Sequence, residues 1–219
     1  MACSFFLVTD PHASLSMKKA LPFILIFFVL FADQYLKIWV KTHMMLEQEF
    51  PIISNWLYLH FAENRGMAFG FEFAGTWGKH ILNLIRVIAI SGIGIFMIQV
   101  VRKHNDYLLA SALALLFAGA LGNMIDSAFY GLFFTNSFGQ YAQFVPLGQG
   151  YASFMQGSVV DMFYIELLDF HLPDWFPVWP MRHVIFFRPV FNIADMAIFA
   201  GIFSLLTFER KAFRIALNW

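Results

Sequence analysis

The chain has 219 residues, of which 60% are hydrophobic, 19% aromatic and 13% charged, and its mean hydropathy is +0.66. This apolar content exceeds that of ordinary soluble domains and predicts an integral membrane protein. The formal net charge of +0, without a basic stripe, excludes nucleic acid as a partner. The single cysteine, Cys3, excludes an intrachain disulfide.

The amino-terminal region holds a mixed, polar segment followed by the first apolar run. Residues 1–16 are predicted to be a non-native or disordered extension, because Met17-Lys18-Lys19 is a more natural start for the apolar sequence. The two lysines and the run 20–32 also imitate a signal peptide. The apolar sequence resumes beyond Asp33, which favours a retained membrane span.

Four segments are long and apolar enough to cross the hydrocarbon core as helices, which takes about 20 residues each. They are approximately residues 21–40, 81–101, 108–125 and 190–208. With four spans, the short basic flanks all fall on one side: Lys18, Lys19, Arg102, Lys103, Arg210, Lys211 and Arg214. Positive flanks mark the cytoplasmic side, so both termini are predicted to be cytoplasmic.

Two longer segments, residues 41–79 and 127–189, fall on the outer side of this topology. In the first, the aromatic stretch from Trp56 to Phe61 is bounded by polar residues, which is typical of a short strand or interfacial ribbon. The second lacks sustained helical periodicity, and its aromatic residues suit the headgroup zone. The predicted fold class is an all-α membrane protein. It has four transmembrane helices, a small β or interfacial extracytoplasmic subdomain and an extended outer loop, in a single domain over residues 1–219.

Two aspartates, Asp161 and Asp195, lie near the last apolar segment. Asp195 is about five residues inside that segment, on the order of one and a half turns below its outer end, so we expect both at one depth. Neighbouring carboxylates cannot easily both ionise, so the pair offers the acid and the base that peptide hydrolysis by activated water requires. Alternatively, each aspartate caps a helix end or pairs with Arg182 or Arg188. The carboxylates alone leave both interpretations open.

Five short motifs follow one another along the chain. They are Asp33-Gln34-Tyr35-Leu36-Lys37, Glu63-Asn64-Arg65-Gly66-Met67-Ala68-Phe69-Gly70, Gly122-Asn123-Met124-Ile125-Asp126, Gly157-Ser158-Val159-Val160-Asp161 and Phe191-Asn192-Ile193-Ala194-Asp195. Each motif is weak alone, but their order on a four-span chain closely resembles the lipoprotein signal peptidases (signal peptidase II). These are bacterial membrane aspartic peptidases that remove signal peptides from prolipoproteins. The resemblance covers nearly the whole chain from about residue 17 onward.

The resemblance implies a role for each matched residue. Asp161 and Asp195 are implied as the catalytic pair, with Asp33 and Lys37 facing the site from the first span. The residues implied to line or brace the site are Asn64, Gly66, Asn123, Asp126 and Asn192. For Asp33 and Lys37, an acid followed by a base at i,i+4 offsets its own burial, which favours structural support over direct catalysis. Asn123 and Asn192 are also suited to hydrogen bonding between helices, worth about 1 kcal/mol each.

The chain departs from the family's pattern in two respects. Ser127 stands where most members have an arginine directly after the Asp of the Gly-Asn motif, which removes a cation that Arg182 or Arg188 could replace from the loop. The separations between Asp126, Asp161 and Asp195 are also longer than is usual in the family. Long outer loops are usually functional or mobile, so the insertion is either an enlarged lid over the peptide entrance or a passive loop.

The resemblance further implies an aspartic endopeptidase of the bacterial cytoplasmic (inner) membrane with its active site toward the extracytoplasmic face. Such an enzyme cleaves diacylglyceryl-modified prolipoproteins before the lipidated cysteine. The expected partners are lipid-modified prolipoprotein substrates and membrane lipids, with the protein itself monomeric. Water and the two carboxylates suffice, so no cofactor is expected, and the seven scattered histidines predict no metal site.

Two other functions stay open from the sequence. A proton-coupled transporter or small channel would use the intramembrane charged residues Asp33, Lys37, Arg86, Asp126 and Asp195 as a relay. The small number of spans and the absence of an internal repeat argue against it. A catalytically inactive scaffold that binds prolipoproteins is the second alternative, suggested by Ser127.

Overall fold

The computed structural model describes residues 11–53, 56–64, 75–104, 106–166, 168–171, 183–186 and 189–208. Its longest elements are the helices α1 (Pro11–His43), α2 (Gly75–Gln99) and α3 (Tyr107–Ile125). A π-helical turn, Val100–His104, extends α2. A second one, Asp126–Tyr130, and the short helix α4 (Gly131–Phe133) extend α3, so helical structure enters the segment predicted to begin the outer loop at residue 127.

Within the described residues, three helical stretches are long and apolar enough to cross a membrane: Lys18–His43, Gly78–His104 and Tyr107–Phe133. They coincide with the first three predicted spans. Large apolar side chains on these helices, including Phe27, Phe31 and Ile88, are exposed in the isolated chain, as expected of surfaces that face lipid. Of the predicted extension at residues 1–16, Pro11 to Ser16 begin α1, and residues 1–10 lie outside the described part.

The fourth apolar segment differs from its prediction. Residues 190–208 begin with a strand, β6 (Val190–Phe191), and only then form the helix α5 (Ile193–Phe208). This helix has 16 described residues, whereas a span requires about 20. Asp195 therefore lies in the first turn of α5, and the prediction of one and a half turns of helix above it was wrong. Hydropathy does not reveal a strand that leads directly into a helix.

A four-stranded antiparallel sheet, in the order β1-β2-β3-β6, adjoins the helices. Its other strands are β1 (Glu49–Ile53), β2 (Leu57–Asn64) and β3 (Val159–Ile165). The stretch from Trp56 to Phe61, predicted to be a short strand or an interfacial ribbon, is a strand from Leu57 onward, and β2 continues beyond it to Asn64. A separate hairpin is formed by β4 (Leu168–His171) and β5 (His183–Phe186). Because β3 pairs with β6, and β6 leads into α5, the sheet brings Asp161 on β3 close to the start of that helix.

The helix α3 packs against α1, α2 and α5. Small residues allow this close approach, since a Cβ added at Gly119 would meet the Ala194 carbonyl oxygen of α5 at 2.2 Å. A Cβ at Gly122 would meet Asp33 Oδ2 of α1 at 2.8 Å. Stripes of small residues let helix backbones approach closely in membrane bundles. The glycines of α3 thus bring the polar side chains of α1 and the start of α5 together.

Candidate active site

Asp161 is held by the strand on which it lies. The preceding residue, Val160, donates its backbone N–H to Asp126 Oδ2 at 3.2 Å. The carbonyl of Val160 accepts a hydrogen bond from Asn192 Nδ2 at 3.2 Å. Asp161 itself is only 7% exposed. Both polar groups of Val160 are therefore committed to α3 and to the start of α5, which fixes the strand where it carries the carboxylate.

Asp195 is the third residue of α5 and belongs to a capping box. The Asn192 side chain accepts the Asp195 backbone N–H at 2.9 Å, and Asp195 Oδ2 accepts the Asn192 backbone N–H at 3.2 Å. This reciprocal arrangement satisfies backbone groups that a helix start leaves unpaired. The other oxygen, Oδ1, accepts from Asn123 Nδ2 at 2.8 Å. Asp195 thus caps its helix, as one interpretation of the sequence held, while α3 also holds its carboxylate.

Asn192 is the residue that joins the two aspartates. Its side chain is fully buried. Its Nδ2 donates to Asp161 Oδ1 at 2.7 Å and to Asn123 Oδ1 at 3.1 Å, while its Oδ1 and backbone N–H contact Asp195. One buried amide therefore bridges the carboxylates of β3 and α5. The hydrogen-bonding role expected of Asn123 and Asn192 is confirmed by these contacts.

Lys37 and Asp33 form a buried layer beneath the pair. The Lys37 ammonium contacts Asp33 Oδ2 at 3.0 Å, Asp126 Oδ2 at 2.8 Å and Asn123 Oδ1 at 2.8 Å. The other oxygen of Asp33 accepts the Ala194 backbone N–H at 2.9 Å, which satisfies one more group at the start of α5. Lys37 has three hydrogens and three acceptors, so this layer is an internally satisfied support.

Gln34 and Tyr130 belong to the same layer, although the sequence interpretation assigned them no role. Gln34 Nε2 donates to Asp126 Oδ1 at 2.9 Å and lies 3.1 Å from Asp33 Oδ2. Its Oε1 accepts from the Tyr130 hydroxyl at 3.2 Å. The signal was available for Gln34, which stands beside Asp33 in the first motif, whereas nothing in the sequence relates Tyr130 to residue 34.

The two carboxylates occupy unlike environments. Burial raises the pKa of Asp161 to about 7, the charge of Asp195 adds to the rise, and Lys37 and the Asn192 hydrogen bond oppose it. Asp161 Oδ1 accepts one hydrogen bond, from Asn192, whereas both oxygens of Asp195 accept N–H hydrogen bonds. A proton shared by the pair is therefore expected on Asp161.

The remaining predicted residues lie at the edge of this centre or outside the described part. Asn64 ends β2 and pairs with Val159 in the sheet, two residues before Asp161. Gly66, Arg182 and Arg188 fall outside the described residues. The cation found near Ser127 comes from α2, where Arg86 Nη1 lies 3.4 Å from Ser127 Oγ. In the described part of the chain, no group of three or more His, Cys, Asp or Glu residues is arranged to hold a metal.

Comparison with known proteins agrees with this architecture. The family model described as signal peptidase (SPase) II matches residues 25–209. A lipoprotein signal peptidase of Porphyromonas gingivalis is 44% identical over 196 residues, covering 89% of this chain and 84% of that protein. The lipoprotein signal peptidase of Amoebophilus asiaticus is 37% identical, over 82% of this chain and 73% of the relative.

Solved structures show the same fold. Two structures described as bacterial membrane enzymes superpose with TM-scores of 0.52 and 0.53, and each covers 84% of this chain. The alignments cover 84% and 89% of those chains, and the sequence identity is 22% in both cases, so this likeness concerns the fold alone. The family model covers all five motifs, from Asp33 to Asp195, and four relatives exceed 30% identity over most of this chain. The chain belongs to the signal peptidase II family.

Proposed function

We propose that this protein is an aspartic endopeptidase that removes the signal peptide from diacylglyceryl-modified prolipoproteins, cleaving before the lipidated cysteine. The observation that carries the proposal is the buried pair Asp161 and Asp195, joined through Asn192 at the start of an apolar helix. The names of the relatives, lipoprotein signal peptidases, supply the substrate class. The lipid on the cysteine would stay in the bilayer and orient the scissile bond, which lowers the entropic cost of positioning it.

In the proposed mechanism the two aspartates divide the acid and base roles. Asp195, whose oxygens accept N–H groups from Asn192 and Asn123, is the ionised base that takes a proton from the attacking water. Asp161 carries the proton and donates it toward the scissile carbonyl oxygen. The water oxygen bonds to the carbonyl carbon. As the C–N bond breaks, the proton held by Asp195 passes to the leaving nitrogen, and a hydroxyl of the intermediate returns a proton to Asp161. No cofactor enters these steps.

The polar layer around the pair has a supporting role in this proposal. Asp33, Lys37, Asn123, Asp126 and Asn192 are committed to one another and to the backbones of β3 and α5. Groups that are already held in place need no rearrangement when charge develops in the transition state. This electrostatic preorganisation is usually the largest single contribution to catalysis. Asn64, the last residue of β2, and Gly66, two residues further along the chain, would also contribute to this support.

For the membrane arrangement, we propose four spans with α5 as the fourth. Both termini would face the cytoplasm of a bacterial inner membrane, because the basic flanks of the spans fall on that side. The β sheet and the carboxylate pair would then lie toward the extracytoplasmic face. Lipid would cover the exposed apolar side chains of the helices, and a monomer is sufficient because one chain supplies both carboxylates.

The outer loop is proposed to be a fixed wall of the site and not a passive insertion. Its Ala142 N–H donates to the Lys41 carbonyl at 3.1 Å, and Ser137 Oγ contacts the buried Lys41 ammonium at 3.0 Å. Lys41 also pairs with Glu63 of β2. The Tyr151 hydroxyl accepts the Ser158 backbone N–H at 2.7 Å, directly before β3. These contacts tie the loop to α1 and to the strands that carry the site.

The test is cleavage of a diacylglyceryl-modified prolipoprotein by the purified protein in detergent or liposomes. We expect Asp161→Asn and Asp195→Asn each to abolish cleavage while folding and substrate binding persist. The matched control is Asp106→Asn, since Asp106 also caps a helix, accepting the Leu109 N–H at 3.1 Å at the start of α3. Cleavage that persists in either site variant would contradict the dyad. A well-folded wild type that binds precursor without cleaving it would favour the scaffold, and proton-driven flux surviving Asp161→Asn would favour the transporter.

A further inference from the structure

Arg86 is a cation whose role the carboxylate centre alone does not explain. It is the single charged residue in the apolar sequence 81–101 of α2. A charge at such a position costs at least a few kcal/mol, and it is normally paired or functional. Within the described part of the chain, Arg86 makes one hydrogen bond, the 3.4 Å contact with Ser127, and no ion pair within 4.0 Å. Most of its five N–H donors are uncommitted.

The rotation of α2 directs Arg86 toward the site. Lys79 Nζ donates to the Gln156 carbonyl at 2.7 Å, and Asn83 Nδ2 donates to the Met155 carbonyl at 2.7 Å. Residues 79, 83 and 86 lie on one face of a helix because their spacing is four and then three. Lys79 and Asn83 contact the loop directly before β3. Arg86 therefore faces the same side of α2, where its guanidinium contacts Ser127.

The charges that face Arg86 are those of the carboxylate pair and its support. The carboxylates of Asp195, Asp126 and Asp161 all lie near enough to attract the Arg86 guanidinium. Lys37, the other cation near these carboxylates, donates its three hydrogens to Asp33, Asp126 and Asn123. No hydrogen of Lys37 is therefore left for the catalytic pair, and Arg86 is the described cation that remains available to it.

We propose that Arg86 is a positioning residue that keeps Asp195 in the ionised form that the base requires. This inference rests on the proposed peptidase function. With the shared proton on Asp161, the carboxylates of Asp33, Asp126 and Asp195 face the two cations Lys37 and Arg86. Without Arg86, Lys37 is the one cation of the described residues that contacts any of these carboxylates, at Asp33 and Asp126, and the proton moves more readily to Asp195, which leaves the pair without its base. Ser127 is small enough to admit the guanidinium beside Asp126 and is itself buried.

The experiment compares the pH dependence of cleavage in wild type, Arg86→Lys and Arg86→Met, using a diacylglyceryl-modified prolipoprotein peptide. An opposite charge nearby shifts carboxyl titration by about one to three pH units, so Arg86→Met should move the acid limb of the profile up by about one unit. Below that limb kcat falls about tenfold, while KM changes less than about twofold. Arg86→Lys retains the charge and should keep the acid limb in place. The matched control is Arg102→Met, which removes an exposed arginine from the far end of the same span.

Relocating the charge gives a second, independent comparison. Because Arg86 Nη1 reaches Ser127 Oγ, an arginine at residue 127 would place its cation in the space that Arg86→Met vacates. The double variant Arg86→Met/Ser127→Arg should return the acid limb toward its wild-type position. If Arg86→Met does not fold, Arg86→Gln removes the charge while keeping a donor and serves in its place.

The outcomes separate this inference from the proposed function. A wild type that does not cleave the peptide overturns the peptidase proposal itself. A wild type that cleaves, with an unshifted acid limb in Arg86→Met and Arg86→Gln, overturns only the role of Arg86. A loss of kcat that is equal at every pH, and equal in Arg86→Lys, also overturns it, because that result means a structural role without charge.

Discussion

Lys37→Met tests the buried layer on which the carboxylate pair rests. Methionine has nearly the length and volume of the lysine stem, so the substitution removes the ammonium without opening a large cavity. The ammonium contacts Asp33 at 3.0 Å and Asp126 at 2.8 Å, and all three side chains are fully buried. The variant therefore leaves two buried carboxylates without their cation.

The expected loss follows from that geometry. Removing one partner of a buried ion pair costs about 3–5 kcal/mol, since the charge that remains is uncompensated. Lys37 neutralises two carboxylates, but a proton taken up by one of them relieves part of the penalty, so we expect a loss within that range. The start of α5 should also loosen, because Asp33 accepts the Ala194 N–H. Cleavage should fall to background.

Equilibrium unfolding in mixed micelles, followed by tryptophan fluorescence, measures the loss. Lys41→Met is the matched control: this lysine is equally buried but pairs with a single carboxylate, that of Glu63, so its loss should be smaller. Adding Asp126→Asn to Lys37→Met removes one stranded charge and should recover at least about 1 kcal/mol of coupling energy. A loss below about 1 kcal/mol for Lys37→Met, or no recovery in the double variant, would refute the reasoning.

Three further predictions address the pair, the helix packing and the outer loop. Burial raises the pKa of Asp161 to about 7 from an ordinary value of 3.8, so the folded state loses stability as pH rises between these values. Asp161→Asn should therefore raise Tm more at pH 8 than at pH 4. A gain in Tm that is independent of pH would contradict this. Gly119→Ala places a Cβ 2.2 Å from the α5 backbone and should cost about 1–3 kcal/mol and most of the activity, whereas Gly92→Ala, with no atom within 4 Å, should be tolerated in the same unfolding and cleavage assays. Glu63→Ala leaves its partner Lys41 buried and uncompensated, so limited proteolysis within residues 134–157 should become faster. An equal increase in Glu47→Ala, which changes a largely exposed glutamate, would argue against an anchored loop.

The sequence identifies the residues of the site better than it identifies their contacts. Asp161 and Asp195 stand out in the sequence because carboxylates near an apolar segment are costly, and the structure brings both to one buried amide. Asn192 followed three residues later by Asp195 is a capping-box signature, and it marks the helix start that hydropathy placed too early. A window of apolar residues is insensitive to whether its first members form a strand or a helix.

The position of Arg86 shows why the contacts between elements could not be predicted from the sequence. Its neighbours Ser127, Asp126 and Asp195 lie on other elements, and only helix rotation decides which face of α2 meets them. That rotation depends on contacts between Asn83 and the loop before β3, whose conformation has no periodic signal. The sequence offers Arg182 and Arg188 because they lie in the outer loop, whereas the arginine that contacts Ser127 lies on α2.

The long outer loop does not displace the carboxylate pair, because hydrogen bonds join the two ends of the loop whatever its length. After α3, the Ser127 carbonyl accepts the Gly157 N–H at 2.9 Å, and Asp126 Oδ2 accepts the Val160 N–H. A side chain at residue 157 would meet the Asp126 carbonyl oxygen at 2.3 Å, so this closure requires glycine. Doubling the length of a flexible loop costs only about 0.6 kcal/mol in closure entropy. Asp161 is therefore positioned by contacts on both sides of its strand, and residues inserted between 131 and 157 extend the wall without displacing the carboxylate.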